Sequence, residues 1–353
     1  MTLRTLISAL LITYLTLFAV GSARAQTTDT TAPAESAPAT TTPATGIVAD
    51  AAAIVTSHTD VAVGAYVLRL SNVSPQNGTF DVDMWMWFRW KGTDVRPDQT
   101  FEIVNGVISS RSETQVEDDG GVNYATVRVQ ATIFHDFDVR RFPLDNHVIT
   151  IELEDANLNN AQLSYSVDDG VALDPSVRVS GWKVAMQPAA VANHVYATNY
   201  GLRSAGADAS DYSRLTLSLS LDRTSVAPLF KSFWISALAV LLGLLAFLIK
   251  ADDLDARFGM GVGSIFAASA NTFVITGSLP PTTAVTLAEQ INLIAVGIIF
   301  VAVFVSIWSL RLRYQDREAD SLKLDMRALW VLGLIYLVLN ALALIFDFSG
   351  GNG

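Results

Sequence analysis

Residues 258 to 278 read Phe258-Gly-Met-Gly-Val-Gly-Ser-Ile-Phe-Ala-Ala-Ser-Ala-Asn-Thr-Phe-Val-Ile-Thr-Gly-Ser278, and no charged residue follows until Glu289. A short acidic segment ending at Arg257 precedes this run, and Leu279-Pro280-Pro281 comes directly after it. An apolar run of about 20 residues is long enough to cross a bilayer, and proline ends a helix. We therefore predict a membrane-spanning helix over residues 258–278 that ends at the prolines.

Small and polar residues interrupt this predicted helix, although contact with lipid does not require them. At helical spacing one stripe carries Gly259, Gly263, Phe266, Ala270, Phe273 and Gly277. Such a stripe would suit the lining of a passage between several copies of the chain. It is equally typical of the small-residue face along which membrane helices pack, so both interpretations stay open.

The two ends of the chain have compositions unlike the rest. Residues 1–25 combine Arg4, an apolar run and Ala23-Arg24-Ala25, which predicts a secretory signal peptide and a mature chain that starts near Gln26. Residues 26–50 are rich in Thr, Ala and Pro, which predicts a disordered linker. Residues 348–353 form a short predicted tail.

Composition excludes several classes of function. The 353 residues include no cysteine, which rules out disulfides and thiolate metal sites, and the four histidines lack metal-ligand spacing. We expect no metal site and no cofactor. The net charge of -11 argues against nucleic acid as a partner and favours the attraction of cations.

Residues 51–225 show the short alternating pattern of an all-β domain. In strand-like residues 214–222, leucines occupy every second position from Leu215 to Leu221, with Thr and Ser between them. One face is therefore apolar and the other polar. Similar runs predict a β-sandwich of about ten strands.

The run Asp81-Val-Asp-Met-Trp-Met-Trp-Phe-Arg-Trp90 places two tryptophans on its polar face. Trp85 and Trp87 share that face with charged side chains, while Met84 and Met86 lie on the other. Exposed aromatic residues commonly contact a partner. Packing under a loop or against a neighbouring subunit is an alternative of equal weight to ligand contact.

Four apolar runs in residues 226–347 predict a four-helix transmembrane bundle, namely 230–249, 258–278, 288–310 and 328–346. Lysine and arginine cluster in the first and third connections and are absent from the second. Basic connections lie on the cytoplasmic side, so the β domain is predicted to be extracellular or periplasmic. The expected location is the inner (cell) membrane.

This arrangement, an exported β-sandwich before four spans, resembles the subunits of pentameric ligand-gated ion channels. The segment Asp138-Val-Arg-Arg-Phe-Pro-Leu-Asp-Asn-His147 is similar to the Phe-Pro-Phe-Asp loop of that family, in the cysteine-free form of bacterial members. The resemblance covers residues 61–346, and Leu279-Pro280 after the second span adds to it.

The resemblance implies a homopentamer in membrane lipid, with the second span around a central pore and a small-molecule agonist bound between subunits. An aromatic box is implied at Tyr66, Trp85, Tyr200 and Tyr212. The loop after Glu154 departs from the family pattern, because Asp155-Ala156-Asn157 stands where an aromatic would complete the box. That departure leaves the ligand undefined, and an amine is one candidate.

Our functional prediction is a channel permeable to inorganic cations. Five copies of Asp255 near the cytoplasmic mouth would attract cations and repel anions. Alternatively, Asp252, Asp253 and Asp255 form a solvated turn that Arg257 neutralises. Phe266 is the predicted gate, Phe273 the competing one, and divalent cations are candidate modulators.

Residues of the predicted gating junction lie in two separate parts of the sequence. The tip Phe142-Pro143-Leu144 is expected to reach the Pro280-Pro281 connection, and the resemblance implies a buried pair between Asp145 and Arg223. The alternative role for that pair is fold stability alone.

Two other classes of function remain. The hydrophobic stripe also suits a membrane-anchored, ligand-binding sensory protein of the same fold whose pore does not conduct. An enzyme is not expected, because the sequence offers no catalytic triad order, phosphate-binding glycine loop or metal cluster.

Overall fold

The structure, a computed structural model, describes residues 58–198, 200, 210–225, 227–280 and 284–350. The predicted signal peptide (1–25), the predicted linker (26–50) and residues 351–353 of the predicted tail lie outside the described residues.

Twelve β-strands in two sheets form the first part of the described chain. The seven-stranded sheet runs β4-β6-β2-β1-β8, with β5 beside β6 and β9 beside β1, and the five-stranded sheet runs β10-β12-β7-β3, with β11 beside β12. The strands are β1 (Thr59–Ser74), β2 (Thr79–Trp90), β3 (Phe101–Ile103), β4 (Gly106–Arg111), β5 (Val116–Asp118), β6 (Asn123–Phe134), β7 (His147–Asp155), β8 (Leu163–Val167), β9 (Ala172–Leu173), β10 (Trp182–Met186), β11 (Ala190–Val195) and β12 (Asp211–Arg223). A one-turn helix, α1 (Pro97–Thr100), precedes β3.

The core lies between the apolar faces of the two sheets. Leu215, Leu217, Leu219 and Leu221 of β12 are at most 1% exposed, and Met84, Met86 and Phe88 of β2 are fully buried. Phe88 from one sheet stacks on Phe101 from the other, with ring centroids 5.1 Å apart. The predicted faces of β2 and β12 are therefore confirmed, since alternation points every second side chain to the same side.

The strand count exceeds the predicted ten because several strands are very short. β3 and β5 have three residues each and β9 has two. Segments of that length are too short to show an alternating pattern, so sequence periodicity does not reveal them.

Among the described residues, four helices follow the sheets, and three of them are long and apolar enough to cross a membrane. These three are α3 (Leu254–Thr276), α4 (Leu287–Arg313) and α5 (Glu318–Gly350). The other helix, α2 (Ala227–Leu245), continues into a 3-10 turn at Ala246–Leu248, and its described apolar portion, Phe233–Leu248, is shorter. Helices α2, α3 and α4 pack on one another, and α5 lies along α4.

The two ends of α3 and the start of α5 differ from the predicted ones. Helix α3 begins at Leu254, since the Asp253 carboxylate accepts a hydrogen bond from the Ala256 amide and caps the first turn. It ends at Thr276, whereas the predicted span ends at Ser278, close to the prolines. Helix α5 begins at Glu318 rather than at residue 328, because its first turns are polar and a search for apolar residues misses them.

Candidate functional site

The loop after β6 docks directly on the first turn of α4. The Leu287 amide donates to the Arg140 carbonyl at 3.0 Å, and the Ala288 amide donates to the Phe142 carbonyl at 3.1 Å. The first amides of a helix have no partner within the helix, so this loop satisfies two of them. Thr286 and Glu289 complete the end with a capping box. A displacement of the loop would therefore act on α4 through backbone hydrogen bonds.

The predicted junction residues Phe142, Pro143 and Leu144 form the tip of this loop, and the Phe142-Pro143 peptide bond is cis. Phe142 packs against an apolar cluster that includes Ile275 of α3 and Leu279, which follows that helix. The predicted contact with the Pro280-Pro281 connection stays a prediction, while the backbone hydrogen bonds of this loop that the structure describes go to α4. Pro280 is half-buried, and Pro281 lies outside the described residues.

The predicted pair of Asp145 and Arg223 is present. The Arg223 guanidinium donates to both Asp145 carboxylate oxygens at 3.1 and 3.3 Å, and it lies 3.8 Å from the ring centre of Trp182. His147 Nε2 lies 2.7 Å from the same carboxylate. Burial alone would raise the pKa of Asp145, but the hydrogen bonds from His147 and Arg223 outweigh it and lower the pKa. The site is a buried triad rather than a pair.

Helix α3 presents the predicted stripe on the side turned away from the other helices. Phe266 is 72% exposed and Phe273 is 78% exposed, whereas Ala268 and Ile275 are buried. A Cβ atom added at Gly259 or Gly263 would meet no other atom within 4 Å. These two glycines are therefore not required for packing within one chain. Asp255, Gly259, Ala270 and Gly277 are exposed along the same side, and Gly263 is half-buried.

The opposite side of α3 carries the packing residues. A Cβ added at Gly261 would lie 2.9 Å from a Val303 methyl of α4, so this glycine does serve helix packing. The Asn271 amide donates to Ser236 of α2 at 2.8 Å and to Asn292 of α4 at 3.1 Å. Buried polar contacts of this kind fix the rotation of α3 about its axis, so the stripe faces away from the other helices.

Arg257 does not neutralise the acidic turn, contrary to one alternative drawn from the sequence. Its guanidinium is buried on the packing side, where it donates to both carboxylate oxygens of Asp325 in α5 at 2.6 and 2.9 Å. Asp252 lies 3.6 Å from Arg313, and Asp253 caps α3. Asp255 is exposed at the start of the stripe and has no ion-pair partner in the described part of the chain.

An aromatic cluster lies on the outer side of the five-stranded sheet. The Tyr196 ring makes edge contacts with Tyr200 and Tyr212, each with centroids 5.8 Å apart, and with His194 at 4.5 Å. Tyr200 and Tyr212 are thus brought together by a residue that our sequence analysis missed. The position of Tyr196 follows from the pairing of β11 with β12. His194 lies opposite Tyr212, and Tyr196 comes two residues later.

Carboxylates lie directly behind these rings. Arg214 donates to Glu152 and Glu154, each at 2.6 Å, and the Tyr196 hydroxyl donates to Glu154 at 2.9 Å. Burial, together with this bond to Glu154, raises the pKa of Tyr196 to about 12. The positive charge of Arg214 balances the negative charge of Glu154.

Glu102 lies opposite Glu154 in the register of β3 and β7 and has no basic partner among the described residues. Burial, and then the charges of Glu154 and Asp155, raise the pKa of Glu102. It is therefore the uncompensated carboxylate beside the aromatic cluster, and sequence reasoning missed it because β3 is so short.

Tyr66 and Trp85 belong to the other sheet, where they are opposite each other in the register of β1 and β2. Trp85 is 39% exposed, and the Tyr66 hydroxyl donates to Asp174 at 2.9 Å. Trp87, in contrast, packs over Gly64 and donates to Asp168 at 2.7 Å. One chain therefore presents two separate aromatic surfaces, Tyr66 with Trp85 and Tyr196 with Tyr200 and Tyr212.

The loop after Glu154 has a structural role. Asp155 is buried and accepts hydrogen bonds from the amides of Asn157 and Leu158, both at 2.9 Å, and from the Thr100 hydroxyl. This acid holds the loop where the resemblance implies an aromatic. Tyr196 supplies an aromatic side chain close by.

Within the part of the chain that the structure describes, no group of three or more His, Asp or Glu side chains is arranged to hold a metal ion. No protein-family profile matches the chain, and no curated protein is significantly similar to it. Any assignment of function therefore rests on the residues themselves.

Proposed function

We propose that the chain is a subunit of a homopentameric, ligand-gated, cation-permeable channel, as its resemblance to that family implies. The observation that carries the proposal is the outward stripe of α3. A helix that faced only lipid would gain nothing from open glycines and an unpaired Asp255, whereas a helix that lines a water-filled passage tolerates both.

Five stripes around an axis would form the passage. Asp255 would give a ring of carboxylates at one mouth, which favours cations, and Phe266 would form an apolar constriction that closes by losing water. Helix α2, although shorter in its described apolar part, would complete the four-span bundle in which the β domain lies outside the inner membrane.

The proposed ligand is a small organic cation bound between neighbouring subunits. Tyr66 and Trp85 would face Tyr196, Tyr200 and Tyr212 of the next subunit. Aromatic faces attract cations, and the uncompensated Glu102 adds a negative charge beside them. Ligand-induced movement would reach the membrane through the loop carbonyls that bind the first turn of α4.

The second candidate is a sensory protein of the same fold that binds the ligand without conducting. The apolar character of Phe266 and Phe273 favours it, since rings without a polar neighbour stay dry.

Purified protein in liposomes, exposed to a panel of small amines, separates the two candidates. Exposed Trp85 supplies an intrinsic fluorescence signal for binding, and release of trapped K⁺ reports conduction. The channel predicts amine-dependent release, with Tyr212→Ala weakening both signals and Trp85→Ala weakening the release. Binding without release would favour the sensor, and neither signal in a folded pentamer would argue against an amine ligand.

A further inference from the structure

Four charged residues lie at or just before the start of α3, and one of them, Asp255, remains without an ion-pair partner among the described residues on the outward stripe. Asp252 is near Arg313, Asp253 caps the helix, and Asp255 lies on the stripe. Arg257 is two residues beyond Asp255 and is one of the largest fully buried side chains in the described chain. Its position decides the sign of the charge at this end of the stripe.

The contacts of Arg257 come from three elements. Asp325 of α5 accepts two hydrogen bonds, the Ile249 carbonyl lies 3.4 Å from the guanidinium, and the Phe247 ring centre lies 5.4 Å away. Asp325 is itself only 3% exposed in its side chain. This is a two-point, planar recognition that lysine would not reproduce.

We propose that Asp325 is a positioning residue for ion selectivity. By holding Arg257 on the packing side of α3, Asp325 keeps a positive charge away from the passage and leaves Asp255 as the charge that ions meet. The inference rests on the proposed channel function and extends it to a residue on α5, a helix that does not carry the stripe.

Asp325 can affect ion selectivity without contacting an ion, because it controls where the Arg257 charge lies. A buried arginine without its carboxylate is costly, so it turns toward water when a path exists. In the proposed channel, the passage beside Asp255 offers one such path. In a pentamer, five released guanidinium groups would offset five carboxylates, and the local potential that favours cations would fall.

The test compares Asp325→Asn, Asp325→Glu and the double variant Arg257→Gln/Asp325→Asn in reconstituted protein. The reversal potential under a KCl gradient reports selectivity. We expect Asp325→Asn to lower the K⁺ to Cl⁻ permeability ratio several-fold, Asp325→Glu to keep it, and the double variant to restore it. An assembled Asp325→Asn protein with the wild-type ratio would overturn the proposal.

Modification of Arg257 by phenylglyoxal, read by mass spectrometry, reports its position without any current. We expect protection in wild type and in Asp325→Glu, and modification in Asp325→Asn. Equal protection in all three would overturn the positioning role even if the protein does not conduct. A wild-type protein that carries no current while Asp325→Asn exposes Arg257 would contradict the proposed channel and leave the positioning role standing. If Asp325→Asn fails to assemble, the double variant decides: an unchanged permeability ratio there supports the proposal, and a lowered ratio contradicts it.

Discussion

Arg223 links Asp145 to Trp182 at the end of the sandwich next to the helices: its guanidinium binds both carboxylate oxygens of Asp145 and lies 3.8 Å from the ring centre of Trp182. The Asp145 side chain is 1% exposed, and His147 occupies its remaining side. A buried carboxylate held from two sides fixes the loop that carries Phe142. The carbonyl of Phe142 in turn binds the first turn of α4.

Replacing Asp145 should destabilise the sandwich strongly. Asp145→Asn leaves Arg223 without its carboxylate, and breaking one side of a buried pair costs about 3 to 5 kcal/mol. The measurement is denaturant unfolding of the protein in detergent. Asp138→Asn is the matched control, because the Asp138 pair with Arg140 is exposed and such pairs contribute about 0 to 1 kcal/mol. Equal losses in the two variants would mean that Asp145 does not support the junction.

Stability should fall in mildly acidic solution because of His135. Burial, and then the neighbouring His147, lower the pKa of His135, so the unfolded chain binds this proton more tightly than the folded one. The stability from neutral His135 is present above about pH 6.5 and is lost as the pH falls through the lower folded pKa. We expect the melting temperature to decline below that pH.

The variant His135→Gln should flatten this decline. Asp145 contributes at lower pH: since its folded pKa is depressed, its contribution is lost only as the pH falls below about 3.9. A melting temperature that is independent of pH between neutrality and pH 5, about one and a half units under the reference value for histidine, would contradict the His135 assignment.

Glu102→Gln should weaken the response to an amine without loss of folding. The carboxylate lies beside the aromatic cluster and repels Glu154, so its removal lowers the attraction for a cation and relieves that repulsion. A titration of Trp85 fluorescence with the active amine measures the change. Glu113→Gln, on an exposed loop, is the control. An unchanged affinity in Glu102→Gln would mean that the cation binds at another part of the cluster, away from Glu102.

Aromatic substitutions should shift the amine dependence of K⁺ release, which is the readout here because Trp85→Ala removes the fluorophore. A cation over an aromatic face contributes about 0.5 to 2 kcal/mol, so Trp85→Ala and Tyr212→Ala should each right-shift the amine response. Trp87→Ala should instead lower stability, because Trp87 packs over Gly64 and binds Asp168. If Trp87→Ala alters affinity and Trp85→Ala does not, the two tryptophans have been assigned the wrong roles.

Much of the fold was readable from the sequence because its signals are local. Alternation gave the faces of β2 and β12, and apolar length gave the positions of α3 and α4. The ion-pair partners of charged residues could not be predicted from local sequence patterns. Arg257 and Asp325 are far apart in the chain, and only the packing of α5 near the start of α3 brings them together.

The same limit applies to the candidate sites. Tyr66, Trp85, Tyr200 and Tyr212 were found by resemblance, but Tyr196 connects two of them only through the pairing of β11 with β12. His147 belongs to the quoted loop sequence, yet its role follows from burial against Asp145. Long-range pairing and burial are properties of the folded chain, so spacing along the sequence does not report them.

The gate is expected at Phe266 rather than at Phe273. Both rings are exposed on the stripe, and the stripe residues next to Phe266, Gly263 and Ala270, are small, while exposed Val262 lies beside the stripe. Phe266→Ser should wet this ring and give current without ligand, and Phe273→Ser should do less. Planar-bilayer recordings of both variants measure the effect. A larger effect from Phe273→Ser would move the gate toward the other end of α3.

The reversal potential of the Phe266→Ser protein, with and without Asp255→Asn, tests the cation channel most directly, because it needs no identified ligand. Under a KCl gradient, Phe266→Ser should reverse close to the K⁺ equilibrium potential, and the added Asp255→Asn should move the reversal toward zero. Bilayers that hold assembled Phe266→Ser protein and pass no more current than protein-free bilayers would contradict the account.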